Sequence, residues 1–391
     1  MSSKITKDFC PAPWMSMFYR ANSAQICCAS GKLLPSSPFE FRTGEFVQSV
    51  KTDFLNGVRP ATCKSCWELE DNGFISVRKS TYDPLISPMD HILFNETTER
   101  NLEYLELRSN NLCNFSCRMC SPIDSNQIGH EVTKYPKLKK YYTYNPPHNL
   151  LEEINDSNFQ QIINQISQVK FLSLTGGEPM LIKQYYDLLD YIVENNYSKN
   201  ITLQITTNCS VYNSHIVERL KEFKEVLFTL SLDGVEETAE YQRYGTVWST
   251  VKENSLKFLE LPNINPVVNA TLTAYSILDL SRFADFLIEL YNKNNSTYFM
   301  LRPAIVPNEI QYTLLNKDLS KRAIDEIEKT IKKISDNKNF ELFVNELHLY
   351  LNVLLHSTTT EYNFKKFQDF TKDFDEIRNQ SFEKTFGYKL Y

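Results

Sequence analysis

Three cysteines, Cys113, Cys117 and Cys120, stand in a C-x3-C-x2-C spacing directly after the strand-like run LEYLELR. Such a loop can bring three thiolates around one centre. Thiolates ligate iron–sulfur clusters, and three of them leave one iron of a four-iron cube without a protein ligand. An iron with an open position can do chemistry. A zinc ion is the alternative, but a closed zinc site takes four ligands, and no fourth lies nearby in the sequence. A second stretch, LTGGEP at 174–179, follows the next strand-like run. Gly176 and Gly177 have no Cβ, so their backbone can approach a ligand closely, and Glu178 can accept from an amino group. By itself such a stretch also reads as a simple turn from strand to helix.

The other cysteines form a second set. Cys10, the adjacent pair Cys27 and Cys28, and the C-x2-C pair Cys63 and Cys66 lie in the first eighty residues, with Cys209 apart. An odd total of nine, with C-x2-C pairs, reads as metal binding in a reducing compartment more than as a secreted disulfide framework. The start, MSSKITKDFC, lacks the apolar segment of a signal peptide. No run of apolar residues is long enough to span a membrane. A cytoplasmic protein without membrane contact is expected. The net charge of −6 argues against a surface that coats nucleic acid.

These groups need elements to hold them. From about residue 101 strand-like runs recur at 102–108, 169–175, 200–206, 225–232, 267–273 and 297–302. Helical patterns separate them at 158–167, 181–195, 212–222, 247–260 and 279–293. Strands alternating with helices predict a parallel sheet, and near-continuous apolar strands predict burial on both faces. Parallel sheets place chemistry at the carboxyl ends of their strands, where the cysteine loop falls. The fold expected is α/β, a partial (β/α)6 barrel. It would occupy residues 101–310, after a cysteine-rich unit at 1–80 and a linker at 81–100, with a helical region at 311–391. Within the first unit, WMSMFYR (14–20) and SAQICC (23–28) read as a hairpin turning at Asn22 and Ser23.

The cysteine loop after strand one, followed by GGEP after strand two, resembles the radical S-adenosylmethionine enzymes over about residues 101–305. The resemblance implies a [4Fe–4S] cluster on Cys113, Cys117 and Cys120. Its fourth iron would be chelated by the amino and carboxylate groups of S-adenosylmethionine. One electron would cleave that cofactor to methionine and a 5′-deoxyadenosyl radical, which abstracts hydrogen from substrate. The electron would come from a donor such as flavodoxin or ferredoxin. Met119 would lie against the adenine, and Gly176, Gly177 and Glu178 would hold the methionine amino group. Asn208 and Ser231, at later strand ends, would contact the cofactor, and Arg243 would pair with its carboxylate. For Asn208 and Ser231 the alternative is strand-end capping; for Arg243 it is a surface arginine. Cys209 departs from the pattern, standing where many members have glycine; otherwise it reads as a buried thiol.

The N-terminal cysteines resemble the auxiliary-cluster modules called SPASM and twitch, here placed before the barrel. Cys10, Cys27, Cys63 and Cys66 would ligate a second, closed [4Fe–4S] cluster; spacing favours Cys27 over Cys28, and a structural zinc is the alternative. Trp14 and Trp67 are expected to pack around it. Such modules often accompany peptide maturation, which suggests a peptide or protein substrate; a small molecule, sugar or nucleotide is the alternative. A metal-binding protein without radical chemistry is the alternative of another class. KYPKLKKYYTYNPPH (134–148), basic and aromatic, is a candidate substrate contact or a solvated loop. No histidine stands in a recognisable base arrangement.

Overall fold

Alternation of burial along the strands organises the molecule. A computed structural model describes residues 7–71, 73, 75–85, 94, 100–142 and 153–391. Its strands are β1 (Ser16–Arg20), β2 (Ser23–Gln25), β3 (Leu34–Pro35), β4 (Tyr104–Arg108), β5 (Ser116–Cys117), β6 (Phe171–Thr175), β7 (Thr202–Thr207), β8 (Glu225–Ser231), β9 (Arg243–Tyr244), β10 (Ile264–Leu272) and β11 (Tyr298–Pro303). Nine of them form one sheet in the order β11-β10-β8-β7-β6-β4-β1-β2-β3, and β5 pairs with β9 separately. The run from β4 to β11 is parallel throughout. The sheet stays open, with β3 and β11 at its edges.

Burial on both faces is not what the sheet shows. Leu105, Leu107, Leu172, Leu174, Leu203 and Ile205 are fully buried on one face. Their neighbours Glu106, Gln204, Thr206 and Asn269 are only half-buried. Register aligns Glu106 with Ser173, Ser173 with Gln204, and Asn269 with Ser231, so these polar side chains share the other face. Polar side chains at every second position of these strands are the reason one face is less buried.

The connecting helices sit close to expectation, at Asp156–Gln165, Lys183–Glu194, Ser214–Leu220, Trp248–Phe258 and Leu280–Lys293. Asn155 and Asn213 start two of them by accepting from Asn158 N and Ile216 N. A short helix at Glu236–Gln242 was not expected from the pattern. The C-terminal region is helical at Lys317–Ile334, Glu341–His356, Glu361–Arg378 and Phe382–Phe386. Edge strand β11 is closed by the second of these: Glu346 accepts from Leu301 N (2.8 Å) and Tyr350 donates to Leu301 O (2.9 Å). An exposed strand edge invites pairing with other chains, and these side chains blunt it.

The N-terminal hairpin turns at Ala21 and Asn22, both at positive φ, one residue earlier than the sequence suggested. Left-handed φ at both central residues matches the twist of tight hairpins. Its second strand ends at Gln25, before the cysteine pair. β1 also pairs in parallel with β4, Ser16 opposite Tyr104. The cysteine-rich segment therefore extends the main sheet. Most of the proposed linker lies outside the described residues.

Candidate functional site

The backbone after β4 is held from several directions. Ser109 N donates to the buried Tyr185 hydroxyl (2.9 Å), which donates to Leu107 O (2.8 Å). Cys113 N donates to Asn126 Oδ1 (2.9 Å), and Asn126 N to Asn111 O (2.9 Å). Cys117 lies opposite Arg243 in the β5–β9 pair.

GGEP fastens this same loop. Gly177 N donates to Asn110 O (3.3 Å) and Glu178 N to Leu112 O (2.7 Å). A Cβ on Gly177 would stand 2.0 Å from Leu112 O, and one on Gly176 (φ +134°) 2.7 Å from Asn110 O. Here the glycines admit the chain's own cysteine loop, not only a ligand. Glu178 likewise departs from expectation. It is fully buried, and its carboxylate accepts from Met180 N (3.1 Å), the Thr207 hydroxyl (2.8 Å) and Asn208 N (2.7 Å). Its oxygens are spent tying the second strand's turn to the third strand's end, so they do not reach for an amino group. Burial holds its carboxyl up to about 7.

Cys113 and Cys117 are buried and Cys120 half-buried; none is in a disulfide. Burial and the neighbouring Cys117 push the Cys113 thiol up to about 12. Cys120 is raised by burial, then by Asp124, Cys117 and Cys113; Cys117 is raised by burial against the pull of Arg243. Thiols that disfavour each other's ionisation are ones a cationic centre would stabilise as thiolates. The donor set therefore fits an iron–sulfur cluster. Among the described residues no three His, Cys, Asp or Glu side chains are grouped to hold a single metal ion. A cube stands between its ligands, so its thiolates need not meet at a point.

Beside this loop a small cavity brings Asn208, Ser231 and Arg243 together, with Phe115, Asp233 and Trp248 among its walls. Asn208 Nδ2 lies 3.9 Å from Cys113 Sγ. Arg243 is mostly buried; its Nε donates to Asp233 (2.6 Å), whose other oxygen accepts from Thr271 N (2.7 Å). Asp233 was missed in the sequence, although SLD at a strand end was the available signal. Met119 is half-buried, and neither it nor Gly176 and Gly177 line this cavity. Cys209 is buried at φ +61°, keeping the left-handed backbone that favours glycine. Its N–H donates to the Thr207 hydroxyl (3.1 Å), and burial raises its thiol to about 12.

A second cavity is lined by Cys10, Cys27, Cys63 and Cys66, with Trp67, Arg78 and Tyr82. Cys28 is outside it and exposed, its thiol near Glu106. Burial raises Cys10, and Cys27 and Cys63 to about 12; Arg78 opposes this for Cys10 and Cys63. Arg78 is itself buried, paired with Glu70 and donating to Phe9 O (2.8 Å). Trp14 packs instead on Phe9 (5.3 Å) and Phe94 (5.3 Å). Cys10 precedes β1 and Cys113 follows β4, and these strands are parallel. The two cysteine sets thus lie at opposite ends of one strand pair, separated by about 16 Å of sheet.

Three residues of the basic–aromatic stretch are committed to the C-terminal helix Glu361–Arg378. Lys137 pairs with Glu376 (2.7 Å), Lys140 with Asp373 (2.9 Å), and Tyr141 donates to Asp373 (2.7 Å). Residues 143–148 of the stretch lie outside the described residues. His215 does meet a carboxylate, Asp190 (3.0 Å), but on the exposed outer surface. No described helix is long and apolar enough to cross a membrane.

A parallel sheet with three thiols after its first strand, fastened by a GGEP turn after its second, defines an α/β protein consistent with a radical S-adenosylmethionine partial barrel. Residues 107–268 match the family described as the Radical SAM superfamily. The matched segment holds both the cysteine loop and the GGEP turn. That match implies a [4Fe–4S] cluster and S-adenosylmethionine. An uncharacterised protein of Methanocaldococcus jannaschii is 26% identical over 55% of this chain and 71% of its own length. A GTP 3′,8-cyclase of Syntrophomonas wolfei is 29% identical over 48% of this chain. The match spans about half (52%) of that cyclase. Streptococcus suis SuiB bound to precursor peptide SuiA superposes with a TM-score of 0.40 at 16% identity, covering 77% of this chain and 65% of that one.

Proposed function

We propose that this enzyme cleaves S-adenosylmethionine reductively and abstracts hydrogen from a peptide or protein substrate. The carrying observation is the loop of Cys113, Cys117 and Cys120, pinned by Gly177 and Glu178 at the carboxyl end of β4. The bound cluster would supply one electron to the cofactor, generating a 5′-deoxyadenosyl radical. Asn208, Ser231 and Arg243 would line the cofactor's space, with Arg243 fixed by Asp233. Met119 would lie at its adenine side. Gly176 and Gly177 would present backbone groups to the methionine end, while Glu178 holds their turn in place.

The substrate would lie on the polar face between the two cysteine sets. Gln204, Thr206, Asn269 and Thr271 offer amide and hydroxyl groups there, suited to the neutral amides of a peptide. A nucleotide substrate is the second reading, favoured by the relatives named GTP 3′,8-cyclase. A triphosphate calls for available cations, whereas Arg108 and Arg302 are paired with Asp124 and Glu346. Cys10, Cys27, Cys63 and Cys66 would hold a second [4Fe–4S] cluster, closed by four protein ligands. A flavodoxin or ferredoxin would deliver the electron.

The test is anaerobic incubation of reconstituted, dithionite-reduced protein with S-adenosylmethionine. Formation of 5′-deoxyadenosine is expected from the natural sequence and not from C113A. Its absence from the natural sequence would overturn the proposal.

A further inference from the structure

The helix Glu361–Arg378 is far along the chain from the cysteine loop, yet reaches it at one point. Arg118 stands between Cys117 and Cys120 and is fully buried. Its Nε donates to Tyr241 O (3.1 Å), and one terminal nitrogen donates to Asp375 (2.6 Å) and Gln380 (3.0 Å). The guanidinium carbon lies 4.0 Å from the centre of the Tyr241 ring and 5.4 Å from that of Tyr275. Its backbone N–H donates to Gln242 O (2.8 Å). Asp375 also accepts from the Tyr241 hydroxyl (2.7 Å) and from Phe382 N (2.8 Å).

A fully buried guanidinium stays charged, so its counter-charge cannot be dispensed with. The counter-charge is Asp375, and it arrives from outside the region that matches the family. Other contacts dock the same helix independently: Lys137 to Glu376 (2.7 Å) and Arg378 to Glu131 (2.7 Å). Loss of Asp375 therefore need not release the helix.

We propose that Asp375, acting through Arg118, is a positioning residue that fixes the spacing of Cys117 and Cys120. The C-terminal helix thereby sets how firmly the loop retains its cluster. The inference rests on the cluster assignment proposed above.

Three variants test it: D375N; R118K, which keeps charge but loses the planar fork; and E376Q, which removes an exposed pair on the same helix. Each apoprotein is first compared by thermal melting and by hydrogen–deuterium exchange. Amides at 115–121 are expected to exchange faster in D375N, and not in E376Q. After reconstitution, iron loss to a chelator is expected to be about tenfold faster in D375N, intermediate in R118K and unchanged in E376Q. The fraction of the reduced-cluster EPR signal that shifts on adding S-adenosylmethionine should fall in the same order. Should D375N fail to fold, R118K decides. Natural retention and signal in R118K and D375N would overturn the inference. So would an E376Q effect as large as that of D375N, which would indicate general docking. A natural protein lacking any signal responsive to S-adenosylmethionine would overturn the cluster assignment itself, whereas a responsive natural protein with indifferent variants sinks the positioning role alone.

Discussion

Glu178 shows how one side chain can serve a site without facing it. Its carboxylate is buried and accepts three hydrogen bonds, one from its own turn and two from the end of β7. Burial still wins over those donors and holds its pKa at about 7, above an ordinary value of 4.5. The folded chain therefore keeps this proton where the unfolded chain loses it. Glu178 contributes stability below pH 4.5 that is lost as pH rises to about 7, roughly 3 kcal/mol in all. Glutamine cannot titrate, and its amide would face a donor, leaving a buried group unsatisfied at a cost of about 1–3 kcal/mol. We expect E178Q apoprotein to be less stable than the natural chain at pH 5, with the gap narrowing by pH 8. Urea unfolding at both pH values measures this; a gap that widens with pH would refute the assigned shift.

At the scale of elements, β1 matters most. It comes from the cysteine-rich segment, yet supplies the sheet neighbour of β4. Met17 and Tyr19 on it are fully buried, and Glu103 N donates to Met15 O (2.9 Å) at its base. Without it the edge of β4, directly below the cysteine loop, would present unpaired backbone groups. A chain beginning at residue 100 would retain all of the matched residues 107–268. It is nevertheless expected to aggregate, as read by size exclusion with light scattering. A monodisperse monomer melting with the natural chain would show that the sheet does not depend on β1.

The whole molecule places two sets of cysteines at opposite ends of β1 and β4, with a polar face between them. If both hold four-iron clusters, anaerobically reconstituted protein should carry about eight iron atoms per chain. Replacing Cys10, Cys63 and Cys66 by alanine should leave about four, with 5′-deoxyadenosine formation from S-adenosylmethionine alone persisting. Iron unchanged in the triple variant would remove the second cluster; loss of all iron would show that the two sites are not independent.

Local pattern determined much of this. The strand–helix alternation put all six central strands within a few residues of their places, because each run carries its own period and its own caps. The cysteine spacing and GGEP were legible because both are contiguous in the chain. What lay beyond local pattern was every relation between distant segments. The glycines' service to Asn110 and Leu112, the two bonds from Thr207 and Asn208 to Glu178, the parallel pairing of β1 with β4, and the reach of Asp375 to Arg118 all join segments far apart in sequence. Apolar periodicity also could not show which polar side chains the register gathers on one face of the sheet. Sequence fixes which residues prefer burial and which turns are possible; the tertiary packing decides which partner satisfies each buried hydrogen-bonding group and charge, since many segments offer equivalent donors and acceptors and only the folded geometry selects among them.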